Sequence, residues 1–191
     1  MSTDVYRDTE VGRTSRPATV RVWDPVVRLL HWSLVAAFAV AWFSGGEDET
    51  VHNFAGYVVV GLVALRVVWG LVGTPHARFV DFLYRPSTVI AFLKDTIGLR
   101  ARRYIGHNPA GGAMVILLLL SLVTTTTTGI MMTTDAYWGI AWVREAHQLA
   151  IDLTLLLIAL HLVGVVVASL EHRENLAKAM FTGRKKAPEL E

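Results

Sequence analysis

AHQLAIDLTLLLIALHLVGVVVASL, residues 146–170, is the stretch that decides how this chain is read. It is apolar for longer than the about 20 residues a helix needs to cross a bilayer. Within it stand two histidines, His147 and His161, and one acid, Asp152. Fourteen residues of helix separate the histidines, a rise of about 21 Å in nearly four turns that leaves about 40° of offset. Both imidazoles therefore share one side of the helix at two depths. An ionisable group in hydrocarbon is costly and is a functional hypothesis by default.

Working outward, three more runs are long and apolar enough to span, over 26–43, 51–72 and 111–132. With 191 residues and 53% hydrophobic content, the chain is too apolar for an ordinary soluble domain. The expected fold is an all-α integral membrane protein, a four-helix transmembrane bundle forming one domain over 1–191. Residues 1–25 read as a polar N-terminal segment. No apolar core followed by a small-residue cleavage site precedes the first span, which is expected to act as an uncleaved insertion signal. Between the second and third spans, 85–99 reads as a short amphipathic helix with Val89, Ile90, Phe92, Leu93 and Ile97 toward the membrane. Residues 183–191 read as a solvated tail. No tandem repeat, P-loop or dinucleotide fingerprint occurs, and nothing points to nucleic acid.

The net charge of +2 says little, whereas its distribution sets orientation. Arg7, Arg13, Arg16, Arg21 and Arg28 precede or open the first span; Arg78, Arg85, Lys94, Arg100, Arg102 and Arg103 fill the central loop; Arg173, Lys178, Arg184, Lys185 and Lys186 follow the last span. The other two loops carry Arg144 alone, against Glu47, Asp48, Glu49, Asp135 and Glu145. By the positive-inside rule both termini and the central loop are cytoplasmic.

That orientation sorts four histidines by depth. His31 opens the outward-running first span and lies toward the cytoplasm, level with His161. His52 opens the inward-running second span and lies toward the outside, level with His147. Two imidazoles from different helices at each depth suit a metal centre built in a bundle interior. Single core histidines bonded to carbonyls are the competing explanation, and zinc or a proton relay would want carboxylates or thiols beside them. With no cysteine in the chain, disulfides, iron–sulfur clusters, thiolate ligation and covalent haem attachment are excluded. Haem iron is the natural candidate, and with no cysteine it would be held by histidine alone, which is b-type.

Neighbouring residues fit a flat macrocycle. Gly56 lies one turn after His52, and Gly164 three residues after His161; helix–helix packing is the competing use of such glycines. Arg66, fourteen residues after His52, and Arg28, three before His31, could each neutralise a propionate or instead snorkel to the interface. Asp152 reads as buried with no evident partner. Thr124–Thr128 reads as packing, its hydroxyls bonded to the preceding turn, with Gly129 giving room to a haem edge. His76, His107 and His172 read as surface or interface histidines.

The segments Val22–Trp32 (VWDPVVRLLHW), His52–Tyr57 (HNFAGY), Leu65–Gly70 (LRVVWG), Tyr104–Met114 (YIGHNPAGGAM), Glu145–Leu149 (EAHQL), Ala159–Val163 (ALHLV) and His172–Lys185 (HRENLAKAMFTGRK) resemble the bacterial cytochrome b561 family, and within it the cytochrome b subunits of nickel–iron hydrogenases. Asp152 departs from the family's pattern, which carries a neutral residue there. The resemblance implies four helices holding two b haems, ligated by His31, His52, His147 and His161. It also implies an electron-transfer subunit of the bacterial inner membrane, between an extracytoplasmic redox protein (a c-type cytochrome or a hydrogenase) and ubiquinone or menaquinone; a homodimer stays open. Bis-histidine iron has no open site and suits electron transfer over substrate chemistry. Relatives include a superoxide oxidase that reduces quinone, but the acidic outer loops would repel an anion.

Overall fold

The computed structural model describes residues 19–187. Four long helices dominate it: α1 (Pro25–Ser44), α2 (Glu49–Val72), α4 (Pro109–Met132) and α5 (Ala141–Glu171). Each is long and apolar enough to cross a membrane. The shorter elements are α3 (Pro86–Ile97), α6 (Leu176–Thr182), one 3₁₀ turn at Phe79–Asp81, and the strands β1 (Thr19–Arg21) and β2 (Arg184–Lys186).

Capping explains where the helices begin. Asp24 accepts from the backbone N–H groups of Val26 and Val27, with Pro25 at the first helical position. Asp48 caps α2 through Val51, and Asn108 caps α4 through Gly111, again with a proline, Pro109, immediately inside. Such residues satisfy orphan N–H groups, and proline surrenders a donor that the first turn does not need.

The helices form two hairpins: α1 packs along α2 and α4 along α5, and contact between α2 and α4 joins them. α1 and α5 make at most incidental contact with each other, so a slot is left between the faces that carry the histidines. Outward faces are largely apolar, with Leu29, Phe43, Leu71, Val72, Leu162, Val163 and Leu170 exposed. Side chains of that kind need hydrocarbon as their solvent. The 31 residues of α5 run about 46 Å, so this helix projects beyond a hydrocarbon core about 30 Å thick.

One end of the bundle is closed by a clasp. β1 and β2 pair antiparallel, Val20 opposite Lys185. Gly183, at φ 76°, turns the chain between α6 and β2 in a left-handed conformation that glycine adopts freely. Its carbonyl accepts from Val22 and Trp23. Arg103 pairs with the buried Glu174 at 3.1 Å, and Glu174 also accepts from the Lys186 backbone N–H. The tail expected over 183–191 is therefore partly wrong: Arg184–Lys186 forms β2 because β1 and Glu174 supply partners for its backbone. Residues 188–191, like most of the N-terminal segment, lie outside the described residues. The amphipathic helix departs from expectation at one side chain. Phe92 turns into the protein against Tyr104, ring centres 5.7 Å apart, while Ile90, Leu93 and Ile97 stay exposed.

Candidate functional site: two opposed imidazole pairs

The slot between the hairpins brings the four membrane histidines together in twos. His31 on α1 faces His161 on α5 with ring centres 6.4 Å apart and planes at 59°. His52 on α2 faces His147 on α5 at 6.3 Å and 86°. The first pair lies at the clasp level and the second at the distal level, about 21 Å away along α5. Two metal–imidazole bonds of about 2.0 Å, each with about 1.1 Å from nitrogen to ring centre, place trans imidazoles about 6.2 Å apart. Both pairs stand at that separation. Among the described residues no three His, Asp or Glu side chains gather into a metal cage. Each level thus brings together two imidazoles from different helices and no further protein donor.

At the distal level the backbone selects the nitrogen. His52 Nδ1 lies 2.8 Å from the carbonyl of Ala41, and His147 Nδ1 lies 3.0 Å from the carbonyl of Thr125. A carbonyl only accepts, so each Nδ1 carries the proton and donates it. Nε2 of each ring keeps a free lone pair, the arrangement of metal-bound imidazoles whose other N–H is anchored. Thr128 adds to this: its hydroxyl donates back to Thr124, 2.8 Å, and its oxygen lies 3.1 Å from His147 Nδ1. At the clasp level no such anchor for His31 or His161 is found among the described residues.

The threonine run, expected as packing alone, is therefore half packing and half support for His147. Thr124 and Thr126 bond to the preceding turn, and Thr125 meets Thr154 at 3.3 Å. At Gly129 a Cβ would come 3.0 Å from His147 Cε1, so the missing side chain makes room for the imidazole itself. Depth was the signal available for these residues. Thr125, Thr128 and Gly129 lie near the distal end of α4, level with His147 near the start of α5.

A cavity of about 870 Å³ opens at the distal level, lined by His52, His147, Gly56, Gly129, Arg144 and Gln148 among others. A Cβ on Gly56 or on Gly164 would meet nothing within 4 Å, so neither glycine serves close helix packing within this chain. Arg66 is buried rather than snorkelled. It donates to the carbonyl of Ala77 at 3.2 Å and lies over Phe79, while its Nη1 is buried without a partner. Arg28 donates to the carbonyl of Phe181, and its Nε is likewise buried and unpartnered. Unpaired buried guanidinium donors are costly.

Two expectations are corrected. Asp152 is exposed on the outer face of α5 and does have a partner, accepting from Gln148 Nε2 at 3.0 Å; four residues of helix place the amide directly over the carboxyl. His107 is not a surface histidine. Its ring packs against Trp23 at 4.6 Å and Phe82 at 4.4 Å, with Nδ1 buried and unpartnered. Burial, with the nearby charges of Arg66 and Lys185, pushes its imidazole down to about 3.

A profile described as prokaryotic cytochrome b561 matches residues 22–183, from the segment before α1 to the turn before β2. Neither among curated proteins nor among solved structures was a significant match found. The matched region contains both imidazole pairs, their carbonyl anchors and both arginines. It makes the chain an integral membrane protein that binds b-type haem and transfers electrons. The chain belongs to the prokaryotic cytochrome b561 family.

Proposed function

We propose that the chain holds two b haems, one between His31 and His161 and one between His52 and His147, and passes electrons between the two faces of the membrane. The observation that carries this reading is the equal separation of the two pairs, 6.4 and 6.3 Å, at the spacing of trans imidazoles. Haem held by these histidines would supply a one-electron couple. The chain's own residues do the rest. Ala41 and Thr125 fix the distal imidazoles through their carbonyls. Arg66 and Arg28 present unpaired donors for propionate at the clasp level, and Gly56 and Gly164 leave open space beside the ligand helices.

The distribution of Lys and Arg supports placing the clasp end in the bacterial cytoplasm and the distal level toward the outside of the inner membrane. The loops at the distal end are short, so the electron donor or acceptor there is a separate redox protein. The acidic residues Glu47, Asp48 and Glu49 suit a basic partner such as a c-type cytochrome or a basic face of a hydrogenase. Ubiquinone or menaquinone, carried in the lipid, is the other partner.

The purified protein in detergent tests this directly. Reduction should give a b-type α-band, and pyridine extraction two haems per chain. His52→Ala and His147→Ala should each remove the same distal haem, while His31→Ala and His161→Ala each remove the other. One haem per chain, or loss of the clasp-level haem from His52→Ala, overturns the pairing.

A further inference from the structure

The tetrad Arg-x-x-His occurs on two different helices, as Arg28–His31 at the start of α1 and as Arg144–His147 at the start of α5. Residues three apart are neighbours on a helix surface. Side chains lean toward the helix N-terminus, so both arginines reach away from the membrane centre. α1 starts at the clasp end and α5 at the distal end. Each arginine therefore stands on the water side of its own histidine, at opposite faces of the bundle. Arg28 keeps a buried, unpartnered Nε there. Arg144 is exposed, has no side-chain hydrogen bond or ion pair among the described residues, and lines the same cavity as His52 and His147. Glu47 and Glu49 stand in the same cavity wall. Among the described residues Arg144 is thus the one Lys or Arg in a wall whose other charged side chains are Glu47 and Glu49.

We infer that Arg144 is the carboxylate-binding residue of the distal level, taking a propionate of the haem held by His52 and His147. This rests on the functional reading above and extends it to a residue to which that reading gives no role. Guanidinium is the side chain suited to the site, since its planar fork meets both oxygens of a carboxylate. Glu47 and Glu49 confine the carboxylate to that one partner. A cation beside the haem edge also favours the reduced iron, which carries one positive charge fewer.

Redox titration of the purified holoprotein tests it, comparing Arg144→Gln and Arg144→Lys with the unaltered chain. Arg144→Gln should lower the couple that His52→Ala abolishes, its electron affinity falling about tenfold, or about 59 mV for a one-electron couple. The couple that survives in His52→Ala should stay where it is. In Arg144→Gln the distal couple should also become pH-dependent, because its propionate loses a fixed counter-charge. Arg144→Lys should restore most of the potential. An unchanged distal couple in Arg144→Gln overturns the inference, as do equal shifts in both couples or a loss of haem that lysine fails to rescue. Absence of haem from the unaltered protein would instead overturn the functional reading on which the inference rests.

Discussion

At the scale of the residue, the distal level is built around one imidazole edge. His147 Nδ1–H is shared between the Thr125 carbonyl and the Thr128 hydroxyl, at 3.0 and 3.1 Å, and Gly129 leaves the space in which the ring lies. Removing the hydroxyl leaves the carbonyl in place. Thr128→Val should therefore keep the distal haem but loosen the ring plane, with haem affinity falling by about tenfold, the low end for outer hydrogen-bond partners of a metal ligand. Low-temperature electron paramagnetic resonance of the oxidised protein reads this as a changed distal g anisotropy, which Thr128→Ser should restore. Gly129→Ala is the harsher change, since a methyl group would press on the ring at 3.0 Å. It should broaden or remove the distal signal while leaving the clasp-level one unchanged, and unchanged spectra in both variants would deny the threonine run any part in the site.

At the scale of the element, Asp24 does the most with the least. It caps α1 and also accepts from Thr74 at 2.6 Å and Trp69 at 3.3 Å, tying the start of α1 to the end of α2. Burial alone would raise its carboxyl, but the bonds from Thr74, Val27, Trp69 and Val26 outweigh it and hold the group below the usual carboxylate range. The ionised form is the one that folding favours, so its contribution is complete above the ordinary carboxylate range and is lost as pH falls through the lowered value. Asp24→Ala should cost about 2 kcal/mol, about half from the cap and half from the side-chain bonds, seen as a lower melting temperature of the detergent-solubilised protein at neutral pH that converges with the unaltered chain in acid. The four membrane helices were legible because apolar length is a local signal, and basic loops gave their direction. The depth argument that paired His31 with His161 and His52 with His147 needs only helix direction and rise per residue, and the structure brings those same rings within 6.4 and 6.3 Å of each other. What could not be read was lateral. Rise places Asp152 at a depth, but only packing shows that it faces outward beside Gln148, and only packing turns Phe92 inward and Arg66 away from solvent.

At the scale of the whole molecule, the clasp end is held by groups remote in sequence, and His107 lies at their meeting point. Trp23 precedes α1, Phe82 belongs to the central loop, Arg66 lies in the last two turns of α2 and Lys185 sits in β2; the His107 ring touches the first two and feels the charge of the others. A neutral imidazole suits this place, because a proton there would add charge beside two buried cations. Burial and those cations lower it to about 3 from an ordinary value of 6.5. The unfolded chain therefore takes up a proton that the folded chain refuses, and stability falls as pH drops from about 6.5 toward 3, by about 1.4 kcal/mol per pH unit. His107→Leu keeps an apolar body between Trp23 and Phe82 and has nothing to protonate. The unaltered chain should lose stability faster than His107→Leu between pH 6.5 and pH 4.5, by about 2 to 3 kcal/mol over that span. Denaturant unfolding in lipid nanodiscs, followed by tryptophan fluorescence, measures the difference. Parallel pH profiles for the two proteins would mean that His107 takes its proton in the folded clasp, and that the cations around it are screened where they lie.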